Sequence, residues 1–215
     1  MAGPSQRQTG RVGRRRSSQE LSERREAFLD SAVAVVRREG PGASMEAMAR
    51  EAGVTKPILY RVFGDRNGLL HALAERFATE LSQVLAKALS SSGTADAWDD
   101  PRGVLRATID AYVGLIDRDP ELYRFLTERL ASDPERPISG LADEVARNVA
   151  VVLGDRLRAI GADSGGAEPW AYALVGMVHL AGDWWVNRRT MARDTLVDYL
   201  VALVWDGLGR LDGST

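Results

Sequence analysis

Lys56, Tyr60 and Arg61 lie at helical spacing along one short segment, so a helix there presents all three on one side. The chemistry they offer is recognition of a polyanion. The Lys56 ammonium suits guanine acceptors, and the Pro57 ring suits apolar contact with a thymine methyl. The Thr55 hydroxyl, the Tyr60 phenol and the Arg61 guanidinium suit phosphate oxygens. Ser44, opening the preceding helical stretch, can hold a phosphate together with the N-terminus it caps. Arg66 supplies a further cation at the start of the following helix.

Such side chains need a rigid mount, and residues 44–70, SMEAMAREAGVTKPILYRVFGDRNGLL, have its pattern. Met48, Ala52, Val54, Leu59 and Val62 are spaced to seal the inside of a helix-turn-helix. Ala49 is small where the two helices cross, and Gly53 stands where the chain reverses, a place that favours positive φ. Thr55 is placed to cap the second helix, with Pro57 in its first turn, where a missing N–H costs little. A plain helical hairpin explains the apolar residues but not the cationic, phenolic outer face.

From about Arg25 to Leu73 the chain resembles the DNA-binding domain of TetR-like (TetR/AcrR) transcriptional regulators. The likeness rests on Phe28, Leu29 and Ala32 in a first helix, Gly40 ending it, then SMEAMAREAGV, TKPILYRVF and a helix start at DRNGLL. Tyr60, Phe63 and Arg66 match the family's order of Tyr, Phe and a basic residue. Val62 stands where the family often has His, and Arg66 where Lys is usual. Arg66 keeps the phosphate-binding charge, so Val62 is the position that loses a DNA contact. The resemblance implies a regulator, by default a repressor, that binds a palindrome-like double-stranded DNA operator as a homodimer and is released by a small molecule.

Composition narrows the rivals. The 215 residues can form one large or two small domains with a sizeable core. Without cysteine, disulfides, thiolate metal sites and cysteine nucleophiles are excluded, and His71 and His179 alone make no histidine-rich metal site. No metal and no cofactor is expected. The lack of cysteine suits a reducing cytoplasm, the expected location. The longest uncharged apolar run, Trp170 to Gly182, is too short to span a bilayer. The basic N-terminus lacks the apolar stretch of a secretory signal. The net charge of −2 hides an asymmetry: residues 1–70 carry 13 Lys+Arg against 8 Asp+Glu, and residues 71–215 carry 15 against 22. A basic end on an acidic body turns that end toward a polyanion.

Residues 1–20 place Arg14, Arg15 and Arg16 among Gly, Ser and Gln. That stretch cannot bury enough apolar surface to fold alone, and it is expected to be a disordered arm whose arginines meet phosphates or a minor groove. Residues 21–66 form the expected helix-turn-helix domain and 67–215 the ligand-binding and dimerisation domain. Amphipathic helices are expected over Leu21–Glu39, from Arg66 or Asn67 toward Leu89, and after Asp100-Pro101 and Asp119-Pro120. Others are expected over Ser139–Ile160, Glu168–Arg188 and Ala192–Gly209, with loops at 90–100 and around Pro134 and Pro137. No run has strand periodicity, so the fold class is all-α, with about nine helices.

The last two helices are apolar on more than one side and must bury more than one side. One face meets the body and the other a second copy, with Val178, Trp185, Leu196, Tyr199, Leu200, Leu203 and Val204 expected at that interface. Which face does which stays open. In the family the effector pocket lies inside the body. The residues this implies here are Phe77, Leu81, Ile109, Tyr112, Val113, Ile116, Tyr123, Leu126, Val149, Val152, Leu153, Trp170, Leu174, Met177 and Trp184. Their apolar character leans toward a hydrophobic effector, such as a fatty acid or acyl-CoA. His179 and Asp183, four apart, are expected to bond each other or the dimer partner. An enzyme is the rival from another class, but no nucleophile elbow, glycine-rich phosphate loop or metal-ligand spacing is present. An architectural DNA-binding protein without an effector is the second rival.

Overall fold

The computed structural model describes residues 9–91, 100–130 and 139–207. Among them are nine α-helices and no strand: α1 Thr9–Glu39, α2 Met45–Glu51, α3 Lys56–Phe63, α4 Arg66–Ser91, α5 Pro101–Arg118, α6 Pro120–Leu130, α7 Ser139–Ala159, α8 Ala167–Arg188 and α9 Arg193–Asp206. A single 3-10 turn, Gly40–Gly42, follows α1 where Gly40-Pro41 stops it. One expectation needs correcting. α1 starts at Thr9 rather than Leu21, so residues 9–20 are helical and the boundary drawn at residue 20 falls inside a helix. Arg14, Arg15 and Arg16 lie on that helix, and their side chains are outside the described residues. The same is true of residues 1–8 of the arm, most of the loop at 90–100, the break around Pro134 and Pro137, and Gly209 at the end of the last helix.

Helix ends follow local chemistry. The Asp100 carboxylate accepts from the Gly103 N–H at 2.8 Å, and α5 begins on Pro101, whose missing N–H would have had no helical partner. α6 begins on Pro120 after Asp119 in the same way.

One continuous apolar core runs from the N-terminal helices into the body. At its N-terminal end Leu29, Val35 and Val36 of α1 meet Met48, Leu59 and Phe63, all buried. α4 carries the core onward through Leu69, Leu73, Phe77 and Leu81 to α5 and α6. In the body α7 packs along α8, α5 along α9, and α6 against both α1 and α4. Where α8 crosses α5, Gly182 permits a close approach: a Cβ there would stand 3.0 Å from both Ile116 and the Tyr112 ring. Arg193 fixes α9 to α5 with a forked pair of bonds to Asp110, 3.0 and 3.1 Å. Among the described residues no polar or charged side chain is buried apart from the tyrosine and tryptophan that belong to the core, and no helix is long and apolar enough to cross a membrane.

Candidate nucleic-acid interface and apolar cavity

The tight turn between α2 and α3 sets how α3 is presented. Gly53 has φ +65°, which lets its N–H reach the Arg50 carbonyl at 3.1 Å and the Val54 N–H reach Ala49 at 2.9 Å. Leu59 and Phe63, one turn apart, bury the inner side of α3. Pro57 and Arg61 fall on the opposite side and are exposed. Behind Phe63 the Arg25 guanidinium lies 5.4 Å from the ring centroid, tying α3 back to α1.

The caps differ from one another in a useful way. The Ser44 hydroxyl accepts from the Ala47 N–H at 3.2 Å and caps α2. Thr55 has the extended backbone of an N-cap, but its hydroxyl makes no capping bond, which corrects the expected use of that side chain. The N-terminus of α4 is capped by Asp65, which accepts from Gly68 at 2.7 Å, and Arg66 projects exposed from its first position. Val62 is partly exposed rather than sealed inside.

Lys56 is not a bare cation. Its Nζ is hydrogen-bonded to Glu46 of α2 and sits 5.7 Å from the Tyr60 ring centroid. That bond holds the Glu46 carboxyl below the usual carboxylate range and raises the Lys56 ammonium above the usual lysine range. Both groups face solvent, so an incoming anion can compete with Glu46 for Lys56. Glu46 was not among the expected site residues, because no helical spacing relates α2 to α3 across the turn.

The second feature is a cavity of about 470 Å³ lined by α4, α5, α6, α7 and α8. That lies inside the range of roughly 300–1,000 Å³ usual for small-molecule sites. Its walls are mainly apolar, with one polar knot. The Tyr112 hydroxyl lies 3.1 Å from Nδ1 of His179, and the Tyr123 hydroxyl lies 3.5 Å from both. Burial holds His179 below the usual imidazole range and pushes the Tyr112 phenol up to about 12. Burial and the neighbouring Tyr112 raise Tyr123 still further.

Residues 28–73 match the model for bacterial regulatory proteins of the tetR family, and residues 84–214 match the tetracyclin repressor-like C-terminal domain. The chain belongs to the TetR family of transcriptional regulators. An uncharacterized HTH-type transcriptional regulator of Mycobacterium tuberculosis is 37% identical over 196 residues, covering 91% of this chain and 81% of its own. The HTH-type transcriptional activator FasR of Mycolicibacterium smegmatis is 29% identical, over 88% of this chain and 84% of its own. In fold, the transcriptional regulator FadR of Bacillus subtilis, solved in complex with stearoyl-CoA, superposes with a TM-score of 0.65 at 18% identity, covering 85% of this chain and 98% of that one. These relatives are regulators, so the reading as a TetR-family regulator rather than an enzyme stands on them.

Within this TetR-family body the residues proposed for the effector site divide by helix face. Phe77, Leu81, Ile109, Tyr112, Tyr123, Leu126, Val149 and Leu174 line the cavity. Val113 and Ile116 do not; both are fully buried in the core. Met177 packs against that core, and Val152 and Leu153 are half-buried on α7 away from the cavity. Trp170 and Trp184 do not line the cavity and are exposed to solvent by 53% and 38%. His179 pairs with the two tyrosines and not with Asp183.

The expected interface residues divide too. Trp185, Leu196 and Leu200 are buried within the single chain, and Trp185 donates to the Met191 carbonyl at 2.9 Å. Val178 lines the cavity, and Val204 is half-buried. Tyr199 and Leu203 stay exposed, in company with Leu180, Trp184 and Trp205. Among the described residues no group of three or more acidic or histidine side chains is placed to hold a metal ion.

Proposed function

We propose that this TetR-family regulator is a cytoplasmic dimeric repressor whose two α3 heads hold a palindrome-like operator and let go when an apolar effector fills the cavity. The observation that carries the reading is the sharing of two helices by cavity and head. α4 begins at Arg66 beside the head and lines the cavity further along with Phe77 and Leu81. α6 lines it with Tyr123 and Leu126, while its N-cap Asp119 accepts from Arg37 of α1 at 2.8 Å. Near its other end, Arg129 donates to the Pro41 carbonyl at 2.8 Å. An effector that prefers one placing of α4 and α6 therefore also sets the placing of the head, which is the differential binding that release requires. The complex of Bacillus subtilis FadR with stearoyl-CoA makes an acyl chain, as the acid or its CoA thioester, the effector class to examine first. An architectural protein has no use for such a cavity.

Native mass spectrometry of the purified full chain tests the reading directly. A dimer carrying a lipid-sized adduct is expected, and a bare monomer that shifts no promoter fragment would sink the proposal. At the head, Lys56→Ala is expected to relax base preference by about 1–3 kcal/mol at one position of each half-site. Arg66→Ala is expected to weaken all duplexes alike and reduce the salt slope by about one unit. Gel shifts across salt separate the two outcomes. The clasp between α1 and α6 makes a further prediction. Arg37 is mostly exposed, so Arg37→Met is expected to change stability by no more than about 1 kcal/mol. It is expected to alter the effector's influence on operator affinity by about 0.5–2 kcal/mol, read from operator titrations with and without effector.

A further inference from the structure

We propose that the cavity selects amphiphiles whose polar end is an uncharged carbonyl oxygen, taken by the Tyr123 hydroxyl, and rejects the free carboxylate of the same chain. The inference rests on the effector reading above and goes on to name the head group. Tyr112, Tyr123 and His179 form the polar knot in an otherwise mainly apolar wall. A neutral imidazole can accept the Tyr112 proton at Nδ1, 3.1 Å away, when its own proton sits on the other ring nitrogen. Tyr123 is then the loosely held member. Its hydroxyl has only contacts at 3.5 Å, the outer limit of a hydrogen bond, although the side chain is 3% exposed. A buried donor held that weakly gains most from a ligand acceptor.

Charge decides which acceptor. Among the described residues no lysine or arginine lines the cavity, whereas Glu75 and Glu144 do. Asp183, one turn beyond His179 on α8, adds negative potential at all three members of the knot. Beside these carboxylates and the two phenols, the wall's remaining titratable side chains are the imidazoles of His71 and His179. A ligand carboxylate brought there meets no lysine or arginine and loses its water, a cost that an ester or thioester oxygen does not incur.

The test uses the full chain freed of co-purified lipid. Isothermal titration calorimetry compares methyl laurate, kept below its aqueous solubility, with laurate and the lauryltrimethylammonium cation, each below its micelle concentration. Methyl laurate is expected to bind, with laurate at least about tenfold weaker. Tyr123→Phe, which keeps the ring's shape, is expected to weaken the ester about three- to tenfold and leave laurate nearly unchanged. Laurate or the cation binding as tightly as the ester overturns the inference while sparing the effector reading. So does a Tyr123→Phe protein with undiminished ester affinity. Binding by none of the three overturns both, so the two failures are told apart. The wild-type comparison decides the matter even if the variant does not fold.

Discussion

Trp185→Ala is expected to lower the unfolding free energy by about 3–5 kcal/mol, the cost of truncating a fully enclosed aromatic side chain. Trp185 is 2% exposed, in one core with Val186, Leu196 and Val197. Its indole N–H donates to the Met191 carbonyl at 2.9 Å, which pins the loop between α8 and α9. The Arg189 guanidinium lies 4.1 Å from the ring centroid and covers it where Arg189 itself takes the left-handed conformation, φ +49°. Truncation thus removes packing, one buried bond and the seat of a strained residue together. Urea melts of the full chain at fixed protein concentration measure the loss, because self-association would shift the apparent stability by mass action. Trp184→Ala, one residue away and 38% exposed in the single chain, is expected to cost far less when both variants are melted at a concentration low enough to keep them monomeric. Equal losses for the two neighbours would contradict this assignment of faces.

That contrast shows how legible the chain was. The head could be read because its demands are local: a positive-φ turn at Gly53, proline in the first turn of α3, and buried residues one turn apart at Leu59 and Phe63. Each is visible at a fixed offset, and the family likeness of residues 28–73 rests on the same offsets. The α8–α9 pair was readable only as doubly apolar. Periodicity says that two faces must be covered but not which cover each receives; Trp185, Leu196 and Leu200, expected at the interface, are covered within the single chain. The cavity wall failed by one step for the same reason. Val113 follows Tyr112 and turns about 100° away from it, out of the cavity and into the core. The polar knot needed three helices brought together, which no spacing along the chain encodes. The extension of α1 back to Thr9 carries no apolar stripe to announce it.

Once Trp185, Leu196 and Leu200 are assigned inward, the outward side of the same helices becomes a specific target. Leu180 and Trp184 lie one turn apart on α8, and Tyr199 and Leu203 one turn apart on α9. Their exposures of 69%, 38%, 63% and 39% leave large apolar side chains in water in a chain whose other apolar side chains of that size are mostly covered. Such a patch calls for an apolar cover, and a twofold arrangement would supply it with the same patch from a second copy. Leu180→Arg combined with Tyr199→Arg is therefore expected to give a monomer in sedimentation velocity while leaving the monomer fold intact, since neither side chain enters the core. Operator affinity is expected to fall by at least about 2 kcal/mol, roughly thirtyfold, because on the dimeric reading proposed above one head alone retains only half of the contacts that fix register. A double variant that sediments as a dimer, or a monomer that binds the operator as tightly as the parent, would rule out this face as the one that pairs the two reading heads.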